Sequence, residues 1–384
     1  MKTDRLRSKG SAVTMPDTDV DVKIIPRKDG QREIRRVFAW KDRFVRLDYF
    51  YKKGGNFIDT ASVYHNGDSE QWLGDWMASR GERDEMVLAT KYTGGYQSHR
   101  DVIHSNYVGT GSKSTKLSLE ASLKKLQTTY IDLFSVHWWD YTTQIPELMQ
   151  SLNDLVASGK VIYLGISDAP TWIVTLANEY ARNHGLRQFT VYQGFWNAGV
   201  RDLERDVIPM CQHQGMGILP YGVLGQGRFQ TEQGYKEREK GHEGRNLVPL
   251  TEHDKRVSKV LEEVADAKGV ELLHVALAYI LQRVPYVFPI VGQRTVKHLE
   301  SSINALSVSL TEEEIKKVES AYNFEYGFPH TLLTLATLAI LNKSSEPPRR
   351  AWGPEDVAMT KLQCPDQEFD WVKGPSPLGP PKDD

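Results

Sequence analysis

The chain has 384 residues, of which 40% are hydrophobic and 26% charged, and this ordinary globular composition supports one large domain with additional segments. A formal net charge of -2 without a dense basic run excludes the electrostatic signature of a protein that binds nucleic acid or an anionic membrane. Cys211 and Cys364 lie too far apart in sequence to suggest a disulfide framework or a metal-binding pair, so the cytoplasm is the expected compartment.

The first 45 residues predict little regular structure. They are charged and lack the apolar core of a secretory signal. Residues 20–25 and 37–40 lie among charged residues and are poor strand candidates. We therefore expect residues 1–45 to be an atypical N-terminal segment.

From residue 56 onward, short apolar runs alternate with amphipathic helical stretches, a pattern typical of βα units around a parallel sheet. Seven runs are predicted strands, at 56–59, 86–91, 131–137, 161–167, 189–193, 217–221 and 287–292. Seven units fit either an eight-stranded barrel with one strand unrecognised or a large open sheet. Nearly every run ends in a polar or glycine residue. Candidate functional residues therefore lie at many strand ends, as in a barrel, whereas an open sheet concentrates them at one switch point. This pattern favours the α/β class and a (β/α)8 TIM barrel.

Amphipathic helices are predicted between these strands from apolar residues spaced three or four apart. The first covers 70–80 and ends at Gly81. The others carry these apolar residues: Leu119, Leu123 and Leu126; Leu148, Leu152, Leu155 and Val156; Val257, Val260, Leu261 and Val264. Thr311 and Glu314 have capping-box spacing and open a further helix that runs through Ala321.

The barrel domain is accordingly predicted to span 46–321, and a proline-rich C-terminal extension to span 322–384. Within that extension, the apolar stretch at 332–341 is too short to cross a bilayer and predicts a helix or a packed tail. The histidines show no ligand spacing that requires a metal.

Ionisable or protic side chains follow three successive predicted strands. Asp59 ends the first, Tyr64 follows it by five residues, and Lys91 and His137 end the next two. Because the carboxyl ends of barrel strands meet at one face, we expect these groups to share a pocket. A phenol with the ordinary tyrosine pKa of about 10 is a weak proton donor, which a nearby ammonium group strengthens. We expect Tyr64 to donate a proton beside Lys91, Asp59 to pair with Lys91, and His137 to orient the substrate oxygen.

Each of these residues alone also has an ordinary structural interpretation. Asp59 would be a loop or helix cap. Lys91 would be a surface lysine whose stem covers apolar groups, and His137 would be a hydrogen-bonded core histidine. Their position at successive strand ends favours the catalytic interpretation.

Longer motifs point to a family. They are GGNFIDTASVY, MVLATKYT, SLEASLKKLQTTYIDLFSVHWWDYTT, LVASGKVIYLGISDAPTWIV, VYQGFWN and YVFPIVGQRTVKHLESSINAL, followed by GFPH and FDWVKGP in the tail. On these motifs the chain resembles the aldo-keto reductases, in particular their fungal aryl-alcohol dehydrogenase and norsolorinic acid reductase branch, over residues 54–374. The resemblance implies an NADPH-dependent oxidoreductase of secondary metabolism, which reduces carbonyl compounds or oxidises alcohols in reverse. Its catalytic tetrad would be Asp59, Tyr64, Lys91 and His137.

The resemblance also implies how the nicotinamide half of the cofactor is bound. Ser167, Asp168 and Gln193 would hold the carboxamide, and Tyr221 would stack on the ring. Asp168 could instead cap the helix that begins near Pro170.

The remaining cofactor contacts are implied in the same way. The pyrophosphate loop would contain Gly222, Leu224 and Gly225, and the charged insertion at 228–246 that follows could close like a lid. Gly292, Gln293 and Arg294 would receive the adenosine 2′-phosphate, which favours NADPH over NADH. His298 and Ser302 complete this adenosine segment.

The opening hairpin and first strand of the family, with its Leu-Gly-(Thr or Ala)-Met run, are not recognisable before residue 46. That strand normally forms a wall of the nicotinamide pocket. A second hypothesis is therefore a catalytically impaired barrel that binds NADP(H) as a sensor or regulatory protein. Trp138, Trp139 and Trp196 are either an aromatic wall for the substrate or core packing.

Overall fold

The computed structural model describes the backbone of residues 22–26, 32–36, 40–239 and 250–330, and the side chains of 44–237 and 250–330. Two strands, β1 (Val22–Pro26) and β2 (Arg32–Arg36), pair as an antiparallel hairpin. Six more form one parallel sheet in chain order. They are β3 (Phe57–Asp59), β4 (Val87–Tyr92), β5 (Ile131–Val136), β6 (Val161–Ser167), β7 (Phe189–Phe195) and β8 (Gly217–Tyr221).

The parallel sheet confirms six of the seven predicted strand runs. The seventh, at 287–292, is wrong as a regular strand. Val287 makes an isolated parallel bridge to Ile218, and the amide of Ile290 donates to the carbonyl of Pro220 at 2.8 Å. Pro289 has no N–H to donate, which is one reason why this segment lies beside β8 without forming a regular ladder.

The six-stranded sheet is strongly curved. The amide Nε2 of Gln193 on β7 donates to Oδ1 of Asp59 on β3 at 3.1 Å, although the two strands are four places apart in the sheet. In a flat sheet that separation would be about 19 Å, since neighbouring strands lie about 4.8 Å apart. Apolar side chains meet inside the curve, from Ala89, Leu133 and Leu219 with Phe57, Val191 and Ile290 around them. The open, flat alternative is thereby excluded.

The N-terminal expectation needs a correction. The structure describes a hairpin, β1–β2, where the sequence showed only poor strand candidates. Charged residues are compatible with an antiparallel hairpin because one of its faces can meet solvent. The predicted eighth barrel strand is not found in the described part of the chain, where β3 is the edge strand of the parallel sheet.

Helices follow the strands and cover the sheet. They are α1 (Trp40–Lys52), α2 (Asp68–Arg80), α3 (Ser112–Leu126), α4 (Ile145–Ala157), α5 (Thr171–Asn183), α6 (Val207–Gln214), α7 (Glu232–Glu239), α8 (Glu252–Lys268), α9 (Leu272–Arg283), α10 (Val296–Asn304) and α11 (Glu312–Glu319). The helices predicted from apolar spacing are confirmed, including the end of α2 at Gly81, which has φ +73°. The capping box of Thr311 and Glu314 is formed, but α11 ends two residues before Ala321.

None of the described helices combines the length and the apolar character needed to cross a membrane. The apolar stretch at 332–341, Cys364 and the rest of the C-terminal extension beyond residue 330 lie outside the described residues.

The helical layer continues where the sheet lacks a strand. Helix α1 packs against α10, and its Arg46 donates to the carbonyls of Gln293 at 3.0 Å and Arg294 at 2.7 Å. On its other side, Asp48 accepts from the indole of Trp76 on α2 at 2.9 Å. Side chains of α1 therefore join the helix that follows β3 to the helix that follows the 287–292 segment.

Candidate active site

A buried ion pair lies at the carboxyl ends of β3 and β4. Nζ of Lys91 is 2.5 Å from Oδ2 of Asp59 and donates to the carbonyl of Thr60 at 2.8 Å. The Lys91 side chain is only 1% exposed. A buried ammonium group needs such partners, because desolvation without them is costly. The interpretations of Lys91 as a surface lysine and of Asp59 as a simple cap are therefore wrong.

Tyr64 lies in a turn with unusual backbone geometry. The next three residues, His65, Asn66 and Gly67, have φ of 52°, 56° and 94°, and the left-handed conformation is unfavourable for residues other than glycine. This turn leads into α2 and holds the Tyr64 ring with its centroid 5.3 Å from Nζ of Lys91. Tyr64 is 39% exposed, so its phenol remains accessible.

His137 follows β5 and faces Tyr64. Their ring centroids are 5.7 Å apart in an edge-to-face arrangement. Burial, and secondarily the charge of Lys91, lowers the pKa of His137 to about 4, so the imidazole is neutral at neutral pH. Its buried Nδ1 has no hydrogen-bond partner among the described residues. A histidine satisfied within the core would have one, so that interpretation is wrong.

The three tryptophans have different roles. Trp138 is 39% exposed, and its ring lies 4.8 Å from that of His137. Trp139 is largely buried, and the fully buried Trp196 donates its indole N–H to Glu204 at 3.1 Å. Trp139 and Trp196 are core residues, and Trp138 is the exposed member of the three.

The residues predicted to hold the carboxamide come together beside the ion pair. Ser167 is buried at the end of β6, next to the β7 residue Gln193 in register. The amide of Asp168 donates to the carbonyl of Gln193 at 3.2 Å, and the side chain of Gln193 reaches Asp59. These residues therefore lie next to the Lys91–Asp59 pair.

Asp168 faces Tyr221 rather than a helix. Its φ is +45°, and the hydroxyl of Tyr221 donates to its carboxylate oxygens at 3.2 and 3.3 Å. Burial raises the pKa of Asp168, while the hydrogen bonds from Tyr221 and Ser167 oppose that shift. Helix α5 has Pro170 at its N-cap position and no side-chain cap. The capping interpretation of Asp168 is therefore wrong.

The glycines after β8 are required by close packing. Gly222 and Gly225 both have φ of +67°. A Cβ at Gly222 would lie 2.2 Å from the Phe195 ring, and one at Gly225 would lie 2.7 Å from the Phe229 ring. Leu224, between them, packs half-buried against the core. The glycines of this tight loop do not follow a G-x-G-x-x-G order, so their spacing alone is a weak signal in the sequence.

The predicted lid is described only in part. Within 228–239, helix α7 carries Tyr235, whose hydroxyl donates to the carbonyl of Arg228 at 2.7 Å and lies 2.7 Å from Oγ of Ser258 on α8. This packing attaches the first part of the insertion to α8. Residues 240–246 lie outside the described residues, and the lid stays a prediction.

The adenosine segment surrounds the N-terminus of α10. Thr295 caps this helix by accepting from the amide of His298 at 3.2 Å. Gln293 donates to Oγ of Ser302 at 2.5 Å. Gly292, Arg294 and His298 are exposed. Ile290 pairs with Pro220, the residue before the last residue of β8, Tyr221. The segment that follows Ile290 therefore leaves the sheet at the end where Tyr221 lies.

Sequence reasoning missed Arg46. This residue holds the backbone of Gln293 and Arg294 from 247 and 248 positions away, and an arginine in a charged helix gives no local signal of such a contact. In the described part of the chain, no group of three or more His, Cys, Asp or Glu side chains is placed to bind a metal ion.

A model of the Aldo/keto reductase family matches residues 31–323. The chain belongs to this family. This aldo/keto reductase is 58% identical to norsolorinic acid reductase B of Aspergillus parasiticus over 340 residues, which cover 88% of the chain and 87% of the relative. It is 52% identical to an aryl-alcohol dehydrogenase of Pestalotiopsis microspora, over 76% and 75% of the two chains. It is 47% identical to aryl-alcohol dehydrogenase [NADP(+)] of Phanerodontia chrysosporium, over 75% and 78%.

Proposed function

We propose that the chain is an NADPH-dependent reductase of aldehydes and ketones that also oxidises the corresponding alcohols. The observation that carries the proposal is the buried Lys91–Asp59 pair beneath the accessible phenol of Tyr64, with the neutral ring of His137 beside it. Together these groups provide a proton donor, a cation that stabilises the phenolate left behind, and a neutral hydrogen-bond donor for the substrate oxygen.

Each tetrad residue has one role in this proposal. The Tyr64 hydroxyl donates its proton to the carbonyl oxygen, and in the reverse direction the phenolate accepts the proton of the alcohol. Lys91 stabilises the phenolate, and Asp59 holds Lys91 in place through the 2.5 Å contact. His137 orients the substrate oxygen; its pKa of about 4 keeps it neutral, so it does not compete as the acid.

The surrounding residues fit NADPH, which when bound supplies the hydride for the carbonyl carbon. Ser167, Asp168 and Gln193 offer donors and acceptors for the carboxamide, and Tyr221 offers a ring for stacking. The pyrophosphate would lie against the loop of Gly222, Leu224 and Gly225. Glycines allow its oxygens to approach the backbone amides closely.

The adenosine end fits a phosphate. The N-terminus of α10 carries a partial positive charge that suits an anion. Arg294 and His298 are exposed there, with Gly292, Gln293 and Ser302 completing the segment. A relative named as NADP(+)-dependent supports NADPH over NADH.

The substrate class follows from the pocket and from the relatives. The exposed face of Trp138 beside His137 suits an aromatic substrate. The relatives are named norsolorinic acid reductases and aryl-alcohol dehydrogenases. We therefore propose aryl or polyketide-derived aldehydes and ketones as substrates. A sensor without turnover is not favoured, because Asp59, Lys91, Tyr64 and His137 each lie next to another member of the group.

The test measures the loss of NADPH absorbance with a panel of aromatic aldehydes. We expect Tyr64→Phe to lower turnover by about 10²–10⁴-fold, since it removes only the hydroxyl that donates the proton. The variant should bind NADPH as the unaltered protein does in a fluorescence titration. Tyr163→Phe, at a 58% exposed tyrosine of β6, is the matched control and should keep full turnover.

Equal turnover in Tyr64→Phe and the unaltered protein would rule out Tyr64 as the acid. NADPH binding without turnover of any aldehyde in the unaltered protein would support the sensor instead. Absence of NADPH binding would contradict both hypotheses.

A further inference from the structure

The charges around the proposed nicotinamide site do not sum to zero. Asp59 and Lys91 neutralise each other across 2.5 Å. His137 is neutral because burial holds its pKa near 4. Asp168 adds a carboxylate that accepts hydrogen bonds from the hydroxyls of Tyr221 and Ser167 and makes no ion pair within the described part of the chain, although the charge of Lys91 acts on it. The pocket therefore carries a net charge of about -1 from these groups.

The backbone fixes where this negative charge lies. Asp168 has φ +45°, and its amide is anchored to the carbonyl of Gln193 at 3.2 Å. Tyr221 donates to both carboxylate oxygens, so the charge lies against the rim of the tyrosine ring. In the proposed function, that ring is the surface on which the nicotinamide stacks.

We propose that Asp168 makes the site prefer the oxidised cofactor over the reduced one. The nicotinamide ring of NADP⁺ carries a positive charge, whereas the dihydronicotinamide ring of NADPH is neutral. A carboxylate beside the ring attracts the cation and gives the neutral form no comparable stabilisation. The inference rests on the proposed function, because it takes the ring position from it.

The preference has a consequence for the direction of the reaction. A site that binds NADP⁺ more tightly lowers the reduction potential of the bound cofactor relative to free cofactor, and a tenfold difference corresponds to about 30 mV for a two-electron couple. Bound NADPH is thereby a stronger reductant on the enzyme.

The size of the effect follows from Coulomb's law. At an effective dielectric constant of about 20, a charge pair near contact changes binding by more than a factor of ten, and Lys91 offsets part of that attraction. We expect Asp168→Asn to lower the ratio of the NADPH dissociation constant to the NADP⁺ dissociation constant by about tenfold. The asparagine keeps the shape and can still bind a carboxamide, a contribution that is common to both cofactor forms and cancels in the ratio.

The experiment titrates NADP⁺ and NADPH separately into the unaltered protein, Asp168→Asn and Asp154→Asn, by calorimetry and without substrate. Asp154 is an exposed aspartate of α4, so its substitution makes the same change in net charge away from the site. The expected result is a lowered ratio in Asp168→Asn alone. Asp168→Ser removes the same charge and replaces Asp168→Asn if the latter does not fold.

An unchanged ratio in both Asp168 variants would overturn the inference while leaving the proposed function intact, because both cofactors would still bind. A ratio that falls equally in Asp154→Asn would also overturn it, since the effect would then follow net charge and not the site. If the unaltered protein binds neither cofactor form, the proposed function itself fails.

Discussion

The two halves of the proposed site are built in different ways. The tetrad half lies on paired strands, where Lys91 is 1% exposed and Asp59 has partners from both β4 and β7. The adenosine half lies at the start of α10, where Arg294 is exposed and its backbone is fastened by Arg46 from α1. In the proposed function, the catalytic groups are thus held by the core, and the segment assigned to the far end of the cofactor is held by surface side chains.

Because of this difference, we expect substitutions in the two halves to change different properties of the protein. A change among the buried charges alters both stability and turnover, because the same contacts serve both. A change in the adenosine segment alters cofactor affinity and leaves the folded state nearly unaffected. Three substitutions sharpen or break this contrast.

The largest effect is expected for Lys91→Met. The substitution leaves Asp59 buried without its cation, so the free energy of unfolding should fall by about 3–5 kcal/mol. Turnover should fall by about 10²–10³-fold because the developing phenolate loses its stabilising charge. Urea unfolding and the aldehyde assay measure the two losses.

Two further variants test this explanation. Lys113→Met, at an exposed lysine of α3, should change neither quantity. The double variant Asp59→Asn/Lys91→Met should regain part of the stability without regaining turnover, since no buried charge is left unpaired. If Lys91→Met lowered turnover but left the free energy of unfolding unchanged, the buried contacts of the tetrad half would not serve both stability and turnover, and the contrast with the adenosine half would fail.

A smaller effect is expected for Arg294→Met. Loss of a charged hydrogen bond to the 2′-phosphate should weaken NADPH binding by about tenfold to a hundredfold, while NADH binding should be unchanged. The unfolding free energy should stay within about 0.5 kcal/mol because the side chain is exposed. Titration with both cofactors measures this, with exposed Arg187→Met as the control. Equal loss of NADPH and NADH affinity would contradict a phosphate contact.

The last effect appears only at acidic pH and concerns His137. Its pKa is about 4 in the folded protein against an ordinary value of 6.5, so the unfolded chain binds the proton first as the pH falls. The stability associated with the neutral imidazole is present above pH 6.5 and is lost as the pH falls toward 4, by up to about 3 kcal/mol. His137→Gln should flatten this dependence, and exposed His213→Gln should not. Parallel urea-unfolding profiles for all three proteins would exclude this role of His137.

Local patterns in the sequence predicted much of the fold. Apolar spacing located the main helices, and Gly81 and the Thr311–Glu314 pair correctly marked helix ends. Runs of β-formers located six strands. These signals succeed because the periodicity of a helix or a strand is visible within a short stretch of sequence. Three of the tetrad residues were likewise visible as polar groups at or after strand ends, whereas the carboxamide residues came from the family resemblance; the structure places Ser167, Asp168 and Gln193 beside the Lys91–Asp59 pair.

The rest depends on residues that are distant in sequence. The contact between Gln193 and Asp59 joins residues 134 positions apart, and it exists only because the sheet curves. Burial decided the alternatives left open for Lys91 and the tryptophans, and the Nδ1 atom without a hydrogen-bond partner decided that for His137; the residue type alone gives neither. The hairpin β1–β2 was missed because its charged residues mask the β-branched ones.

The side-chain contacts that attach α1 to α2 and to the segment before α10 also determine how readily α1 opens locally. A strand is held by a row of backbone hydrogen bonds that break together, but α1 is tied to its neighbours by side chains, among them an Asp48–Arg80 ion pair that is about one-third exposed. Dissolved salt screens such a pair, and each contact can open without the others. In hydrogen–deuterium exchange, the amides of α1 should therefore lose protection through local opening, faster in high salt, long before those of β4 to β7 exchange.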